Sequence, residues 1–484
     1  MKTPHPEWAT KYRTKGTELR LFGNKYYLYG YKTIYDRIKK KPKKISGKMI
    51  GRITQEGGLV KGDKEKLRLK LAKEKTISVG HTREFGMSNY ILTLLSDFYK
   101  QLEFCFPDQW QQIVLLAYTR LVFQSPIKRM PFHIANSWFL EHWGMKQMSE
   151  KTISLLLRSL GQNRQKAVEY MRFFVQKGEY ILADTTHILS KSKLIELSHK
   201  GYNNKMDYEP QVNLMYIYST NSCMPVFYRL HAGNIREIKA FKLTLKESGV
   251  ANAIIIGDKG FYSEENVLTL EKEKIQFILP LHRNNKLIDY SVIVDGTIKK
   301  TKNYFEHEQR FIWFSQLKMK DGKRCILFLD EKLREKEERD YLKRIQSYPE
   351  EYNIKKFREK LSSFGTLAVL VSKIQKNPRQ IYQAYKERMD IETMFDALKN
   401  IIDNDSTYMQ NEDALQGWMF INHIALQWYQ HMYLKIAAQN LTAKYSVKDL
   451  MIQLREIRKV QINNQWYDAE ITNATQTLLA KLKM

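Results

Sequence analysis

The chain has 484 residues, 43% of them hydrophobic, so it can bury real cores and is long enough for roughly two to four folded units. Its 80 Lys and Arg stand against 52 Asp and Glu, a formal net charge of +28; a folded chain this basic needs a polyanion or must tolerate self-repulsion. Disorder is excluded by the apolar content, and a membrane span by the lack of any apolar run near the roughly 18 residues that one requires. Nucleic acid is the usual partner of such a charge, because each neutralised phosphate releases counterions; a ribosome-associated or merely basic protein is the plainer alternative. Met1 to Arg20 has no apolar segment of the kind a secretory signal carries, so none is expected. Cys105, Cys223 and Cys325 stand far apart, with neither zinc-ligand spacing nor a disulfide framework, which fits a reducing cytoplasm.

Residues 17 to 36 predict a β-hairpin, with Leu19, Leu21, Tyr27 and Tyr29 alternating around a Gly23-Asn24 turn. The basic run that follows, Lys39, Lys40, Lys41, Lys43, Lys44 and Lys48, reads as a solvated loop able to hold phosphates. Residues 86 to 178 predict helices: Tyr90, Leu94 and Tyr99 lie near helical spacing, as do Ile153, Leu156, Leu157 and Leu160. Gly144 separates two of them and Ser149 is placed to cap the second. A helix–turn–helix fits that spacing, and plain helical packing is the simpler reading.

Near residue 180 the pattern turns to strands. Tyr180 to Leu189 is apolar but broken by Asp184; Val212 to Tyr218 and Pro225 to Leu230 are two more strands. Residues 236 to 248 suit a helix, Ala253 to Gly257 a buried strand ending at Asp258, and Phe277 to Leu279 another strand. This succession predicts an α/β sheet of mixed order. Phe311 to Leu317 and Cys325 to Leu329 flank Asp321-Gly322, a strong hairpin signal; a charged helical stretch runs from Glu331 to about Phe364, and Leu367 to Val371 is again a buried strand. Residues 285 to 372 therefore read as a β-rich insertion before a long helix from about Pro378 to Ile402.

On that helix, at about 100° per residue, Arg388, Glu392 and Lys399 fall within about 60° of Tyr385, with Asp396 beside them. Met394, Ile391, Leu398, Ile401, Phe395 and Ile402 are expected on the opposite, buried arc. Taken alone, the polar stripe is an ordinary solvated face. Asp184 and Asp258 add weight: one carboxylate interrupts an apolar strand, where an unpaired charge is costly, and the other follows a buried strand, where ligands of α/β sheets collect. Three carboxylates on two strands and a following helix can converge on two hard cations.

Asp184 in Leu-Ala-Asp-Thr-Thr, Asp258 in Gly-Asp-Lys-Gly-Phe-Tyr, and Glu392 resemble the DDE triad of RNase H-like transposases. Tyr385, Arg388, Glu392 and Lys399 match in all three gaps the YREK signature of bacterial insertion-sequence transposases, the insertion sequence 4 superfamily. The resemblance covers about residues 180 to 435; the N-terminal hairpin and basic run look like the start of one long-chain branch of that group, and His231-Ala-Gly-Asn234 resembles the family's short turn between the two aspartates. Met389 departs from the bulkier aromatic of many members. The resemblance implies an α/β, RNase H-like catalytic domain with a β-rich insertion. It implies two Mg²⁺ ions, with Mn²⁺ as substitute, on Asp184, Asp258 and Glu392, and Tyr385, Arg388 and Lys399 on the transposon end. Trp313 is a candidate for capturing a flipped base. His187 and His231 are read as structural, since metal-bound water needs no separate base.

The expected organisation is a basic β-rich region over 1–80 and a helical, DNA-binding region over 81–178. An RNase H-like domain follows over 179–284 and 373–437, with an insertion over 285–372, and a helical tail spans 438–484. The resemblance further implies double-stranded DNA as partner, both terminal inverted repeats and target, held by a homodimer in the synaptic complex of a prokaryotic cytoplasm. An RNase H-like nuclease and a domesticated DNA-binding protein are the competing functions.

Overall fold

The computed structural model describes residues 5–36, 41–63, 66, 79–176, 181–190, 192–201, 209–235, 237–250, 254–257, 261–401 and 406–484; for 36, 79, 237, 387–393, 400 and 401 it describes the backbone alone. Expectations placed on Lys39, Lys40, Tyr180, Ala253, Asp258 and Ile402 lie outside the described residues. The chain forms two compact units, Met1–His81 with Val460–Tyr467, and Thr82–Lys459 with Asp468–Met484.

In the first unit a short helix, α1 (Glu7–Thr10), precedes β1 (Thr17–Phe22), β2 (Lys25–Asp36), β3 (Lys41–Thr54) and β4 (Gly58–Lys61), an antiparallel meander in sequence order. Alternation selects the covered face: Leu28 and Ile53 are buried with Ala9, and Trp8, Leu19, Tyr26 and Leu59 pack around them. β1 and β2 form the hairpin expected over 17–36. From Lys41 on, the basic run is a strand and not a loop, since Lys41, Lys43, Lys44 and Lys48 all lie in β3. Lysine has little strand propensity of its own; pairing with β2 overrides it.

β5 (Val79–Glu84) leads to a run of helices, α2 (Gly86–Leu94), α3 (Ser96–Cys105), α4 (Trp110–Phe123), α5 (Met130–Ala135), α6 (Phe139–Trp143), α7 (Glu150–Gln162) and α8 (Arg164–Arg172). Gly144 ends α6 in the left-handed region, and the Ser149 hydroxyl caps α7 by accepting from the Thr152 N–H. Helix α4 is buried from Ile113 to Val122, so it is core and not a DNA-reading surface.

β6 (Ile181–Ser190) then pairs antiparallel with β8 (Pro210–Ser219), which also pairs with the short β7 (His199–Lys200) and with β9 (Met224–Ala232). After α9 (Glu237–Ser248), β10 (Ile254–Ile256) runs alongside β6; α10 (Glu264–Lys272) is the crossover that lets β11 (Gln276–Pro280) pair parallel with β10. The spatial order is β9-β8-β6-β10-β11.

The chain continues through α11 (Ser291–Val294), β12 (Tyr304–His307), β13 (Arg310–Lys318), β14 (Arg324–Asp330), α12 (Glu331–Ser347), α13 (Ile354–Lys360) and β15 (Thr366–Val371). β13 and β14 flank Asp321-Gly322 as expected. β15 pairs antiparallel with β11, so the strands of 285–372 extend one hydrogen-bonded sheet, β10-β11-β15-β14-β13-β12.

The long helix α14 (Pro378–Asp396) runs on into a π turn, Ala397–Ile401. β16 (Ser406–Thr407) pairs with the end of β6, and α15 (Glu412–Ala438) forms the buried axis of the unit, packed against α4, α7 and β9. Where α7 meets α15, a Cβ on Gly161 would strike the Asp413 carbonyl and one on Gly417 the Leu157 carbonyl, so only glycine permits this approach at either point. Residues 438–484 hold α16 (Val447–Arg455), β17 (Arg458–Ile462), β18 (Gln465–Asp468) and α17 (Asn473–Lys481). The hairpin in this segment turns on Asn463-Asn464, both left-handed, a conformation asparagine tolerates. Among the described residues no helix is long and apolar enough to cross a membrane.

Candidate active site

Asp184 is the fourth residue of β6. It follows the buried Ile181, Leu182 and Ala183, is itself half-buried, and accepts a 2.8 Å hydrogen bond from the Thr185 N–H. Its antiparallel partner is Tyr216, and directly paired residues share a sheet face. The Tyr216 ring meets Phe395 of α14 at 6.0 Å and stacks on His423 of α15 at 5.7 Å. Asp184 therefore lies on the face that α14 and α15 cover. Glu392 is one helical turn before Phe395, and α14 lies against both β6 and β10. β10 is buried along its length and leads through the buried Gly257 to Asp258; Phe261 on the far side is buried too, its carbonyl accepting from Asn266 Nδ2 at 2.8 Å. The three elements that carry the expected triad are thus neighbours. Asp258 and the side chains of Arg388 and Glu392 lie outside the described residues.

Helix α14 starts where the sequence puts it. Asn377 and Gln380 cap each other reciprocally, at 2.9 and 3.1 Å, around Pro378 at the first helical position. Met394, Phe395 and Leu398 are buried as expected; the side chains of Ile391 and Ile401 are not described. Two features of the stripe need correction. The buried face extends to Ile381 and Tyr382, whose ring packs on Phe305 and Phe328, so the apolar arc borders the polar stripe instead of opposing it. Tyr385 and Lys399 are accordingly half-buried, while Asp396 is exposed. Lys399 also sits in the π turn, where each residue advances by less than the α-helical angle, so the stripe does not continue to it unbroken.

Of the two histidines read as structural, His231 is a core residue: 4% exposed, its Nε2 2.9 Å from Thr244 Oγ1, and pushed by burial down to about 4, hence neutral. His187 is half-buried on β6. A third histidine escaped the sequence reading. His423 is fully buried between Tyr216 and Tyr228, and burial lowers it to about 3.

Trp313 lies on β13 opposite Tyr304, the rings 5.1 Å apart, and Tyr304 meets Phe311 at 6.0 Å. These three, with Gln309, Arg310 and Lys332, line a cavity of about 550 Å³, and Tyr304 and Phe311 are half exposed. The alternation of Phe311 and Trp313 was legible. Strand β12 and the two-residue turn Glu308-Gln309 were not: both turn residues have positive φ, 48° and 60°, a conformation for which neither is a favoured type.

Residues 176–428 match the family model of the transposase DDE domain, more than half of the chain, and the match includes β6, β10 and α14. No curated protein matches the chain. Among solved structures it is similar to a cryo-EM structure of a piggyBac transposase synaptic complex with hairpin DNA, at 11% identity and a TM-score of 0.33, over 71% of this chain and 69% of that one; so slight a likeness carries no weight for the site. The family match spans all three acidic positions and the neighbouring elements that hold them, and the chain belongs to the transposases with a DDE domain.

Proposed function

We propose that this transposase cleaves DNA at the ends of a mobile element and transfers the freed strands to target DNA, using Asp184, Asp258 and Glu392 as its catalytic carboxylates. The observation that carries the reading is the adjacency of β6, β10 and α14 within the family-matched segment. Three antiparallel strands followed by a parallel pair, in the order β9-β8-β6-β10-β11, support the RNase H-like assignment.

Asp184 suits a metal ligand: a hard oxygen donor, half-buried on a strand that neighbours β10 and α14. Two Mg²⁺ or Mn²⁺ ions held by the three carboxylates would activate the attacking oxygen and stabilise the leaving one. The protein's own groups do the rest. Tyr385, Arg388 and Lys399 grip the transposon end beside the scissile phosphate, Arg and Lys as charge-assisted donors. Trp313 with Tyr304 and Phe311 offers an aromatic cleft for an unstacked base. Two ends must be held together, so the working assembly is a homodimer on DNA. The YREK spacing supports a place in the insertion sequence 4 superfamily of bacterial elements.

The test is cleavage of a duplex carrying the element's terminal inverted repeat, compared with nicking of an unrelated plasmid, in Mg²⁺ and in EDTA. End-specific cleavage that needs the divalent ion supports the proposal. Cutting that persists in EDTA overturns the metal mechanism, and equal activity on both substrates favours a plain nuclease.

A further inference from the structure

The positive charge is concentrated. Residues 1–81 hold 22 Lys and Arg against 7 Asp and Glu, whereas the longer helical stretch 82–178 holds 12 against 7. More than half of the +28 therefore belongs to the first 81 residues, and the helices expected to bind DNA contribute little of it.

The topology of the first unit concentrates it further. β1 pairs with β2 only as far as Gly30, and β4 pairs with β3 only over Gly51–Thr54. β2 and β3 run on past both as a two-stranded ribbon, paired from Tyr31↔Ser46 to Asp36↔Lys41, with no third strand on either edge among the described residues. Six pairs at about 3.4 Å per residue give the ribbon a reach of about 20 Å. Residues 32–35 and 41–46 are all exposed, including Ile34 and Ile45 at 48% and 45%.

The register sorts these side chains. Lys32 is paired with Ile45 and Ile34 with Lys43, so two lysines and two isoleucines form a checkerboard on one face. Tyr35 and Lys44 belong to the other face, where Lys44 stands over the Tyr31 ring at 3.8 Å and pairs with Glu18 at 2.8 Å, bracing the ribbon's root. The checkerboard has no aromatic ring, which argues against single strands, bound chiefly by stacking bases on aromatics. A two-stranded ribbon is one of the shapes that the roughly 12 Å major groove admits; lysines match phosphates, and small aliphatic side chains match thymine methyl groups.

We propose that the β2–β3 ribbon enters the major groove of duplex DNA through the face bearing Lys32, Ile34, Lys43 and Ile45. This rests on the reading of the chain as a DNA transposase and extends it to where the protein grips DNA away from the catalytic carboxylates.

The experiment uses the full chain and a duplex of about 40 bp, with the matching single strand beside it, and measures affinity across a salt series. Lys32→Gln combined with Lys43→Gln should weaken duplex binding at least about tenfold and lower the slope of log K against log salt by nearly 2, about 0.9 per lost phosphate contact. Ile34→Ser with Ile45→Ser should leave that slope unchanged and reduce the preference for an end-containing duplex over a random one. Unchanged affinity and slope in the lysine variant overturns the proposal, as does an equal loss on the single strand or a wild-type protein that does not bind the duplex. Asp184→Asn in the cleavage assay tests the transposase reading separately: continued cutting by that variant sinks the catalytic assignment whatever the ribbon does, and the ribbon's failure leaves the catalytic assignment standing.

Discussion

In the first unit, β3 is exposed along nine consecutive residues, Lys41 to Met49; in the second, β8 is buried along six, Leu214 to Ser219. Both are strands, held by the same backbone ladders, yet one presents lysines to water and the other tyrosines to helices. β8 can be apolar on both faces because helices cover its sheet, α14 and α15 on the Tyr216 face among them. β3 has only the few residues around Leu28 and Ile53 to cover. The contrast teaches that here charge accumulates where the chain has only a small core to build, while Asp184 lies half-buried on a strand whose partner, β8, is core.

If that division holds, chemistry and gross DNA affinity should come apart on mutation. Asp184→Asn should lower end cleavage on the order of 10³-fold, the scale of losing a group that stabilises developing charge, with duplex affinity nearly unchanged in a gel shift. Asp258→Ala and Glu392→Ala should behave alike. Affinity falling in step with cleavage would break the comparison.

Leu28→Ala sharpens it from the other side. Removing one of the few buried side chains of the first unit should cost about 2–5 kcal/mol, enough to unfold so small a core. Calorimetry should show an early transition lost or lowered while the main one stays. Gly417→Ala should do the reverse, lowering the main transition by about 1–3 kcal/mol through the overpacked contact with α7. A single transition shifted equally by both would show that the units do not fold apart.

Acid should act on the second unit through its buried histidines. His231 falls to about 4 and His423 to about 3 in the folded state against an ordinary 6.5. The unfolded chain thus binds protons that the native one refuses. The stability these residues protect is complete above about pH 6.5 and is lost progressively as pH falls toward 4, a few kcal/mol in all. Melting at pH 7 and pH 5 tests this, and no drop in the main transition contradicts it. Lys399→Ala and Arg388→Ala should cost about 1.5–3 kcal/mol each in end-specific cleavage and much less in plasmid nicking.

Several of these positions were legible without coordinates because their signals are local. Asp184, following Ile-Leu-Ala in a stretch that returns to Ile-Leu after Thr-Thr-His, marks a strand carrying a charge; Asn-Pro with Gln380 marks the start of α14; Asp321-Gly322 marks a hairpin. The Glu308-Gln309 turn was illegible because neither residue favours the left-handed region, so the strands on either side must impose it. The π turn at Lys399 was equally hidden, since a uniform helical angle is all that spacing can assume.

Periodicity and turn chemistry thus marked β6, β10 and α14 as elements, since each signal depends on neighbours a few positions away, and the family resemblance singled out the acidic residues proposed to act on them. Partner choice does not. That β15 pairs with β11, about ninety residues earlier, and joins the supposed insertion to the β10 sheet depends on complementary buried faces meeting in space, as does the pairing with β2 that makes a strand of the lysines of β3. A strand's own residues report that it needs a neighbour, but its ladder of N–H and C=O groups is the same in every strand, so only the packed fold selects which one it takes.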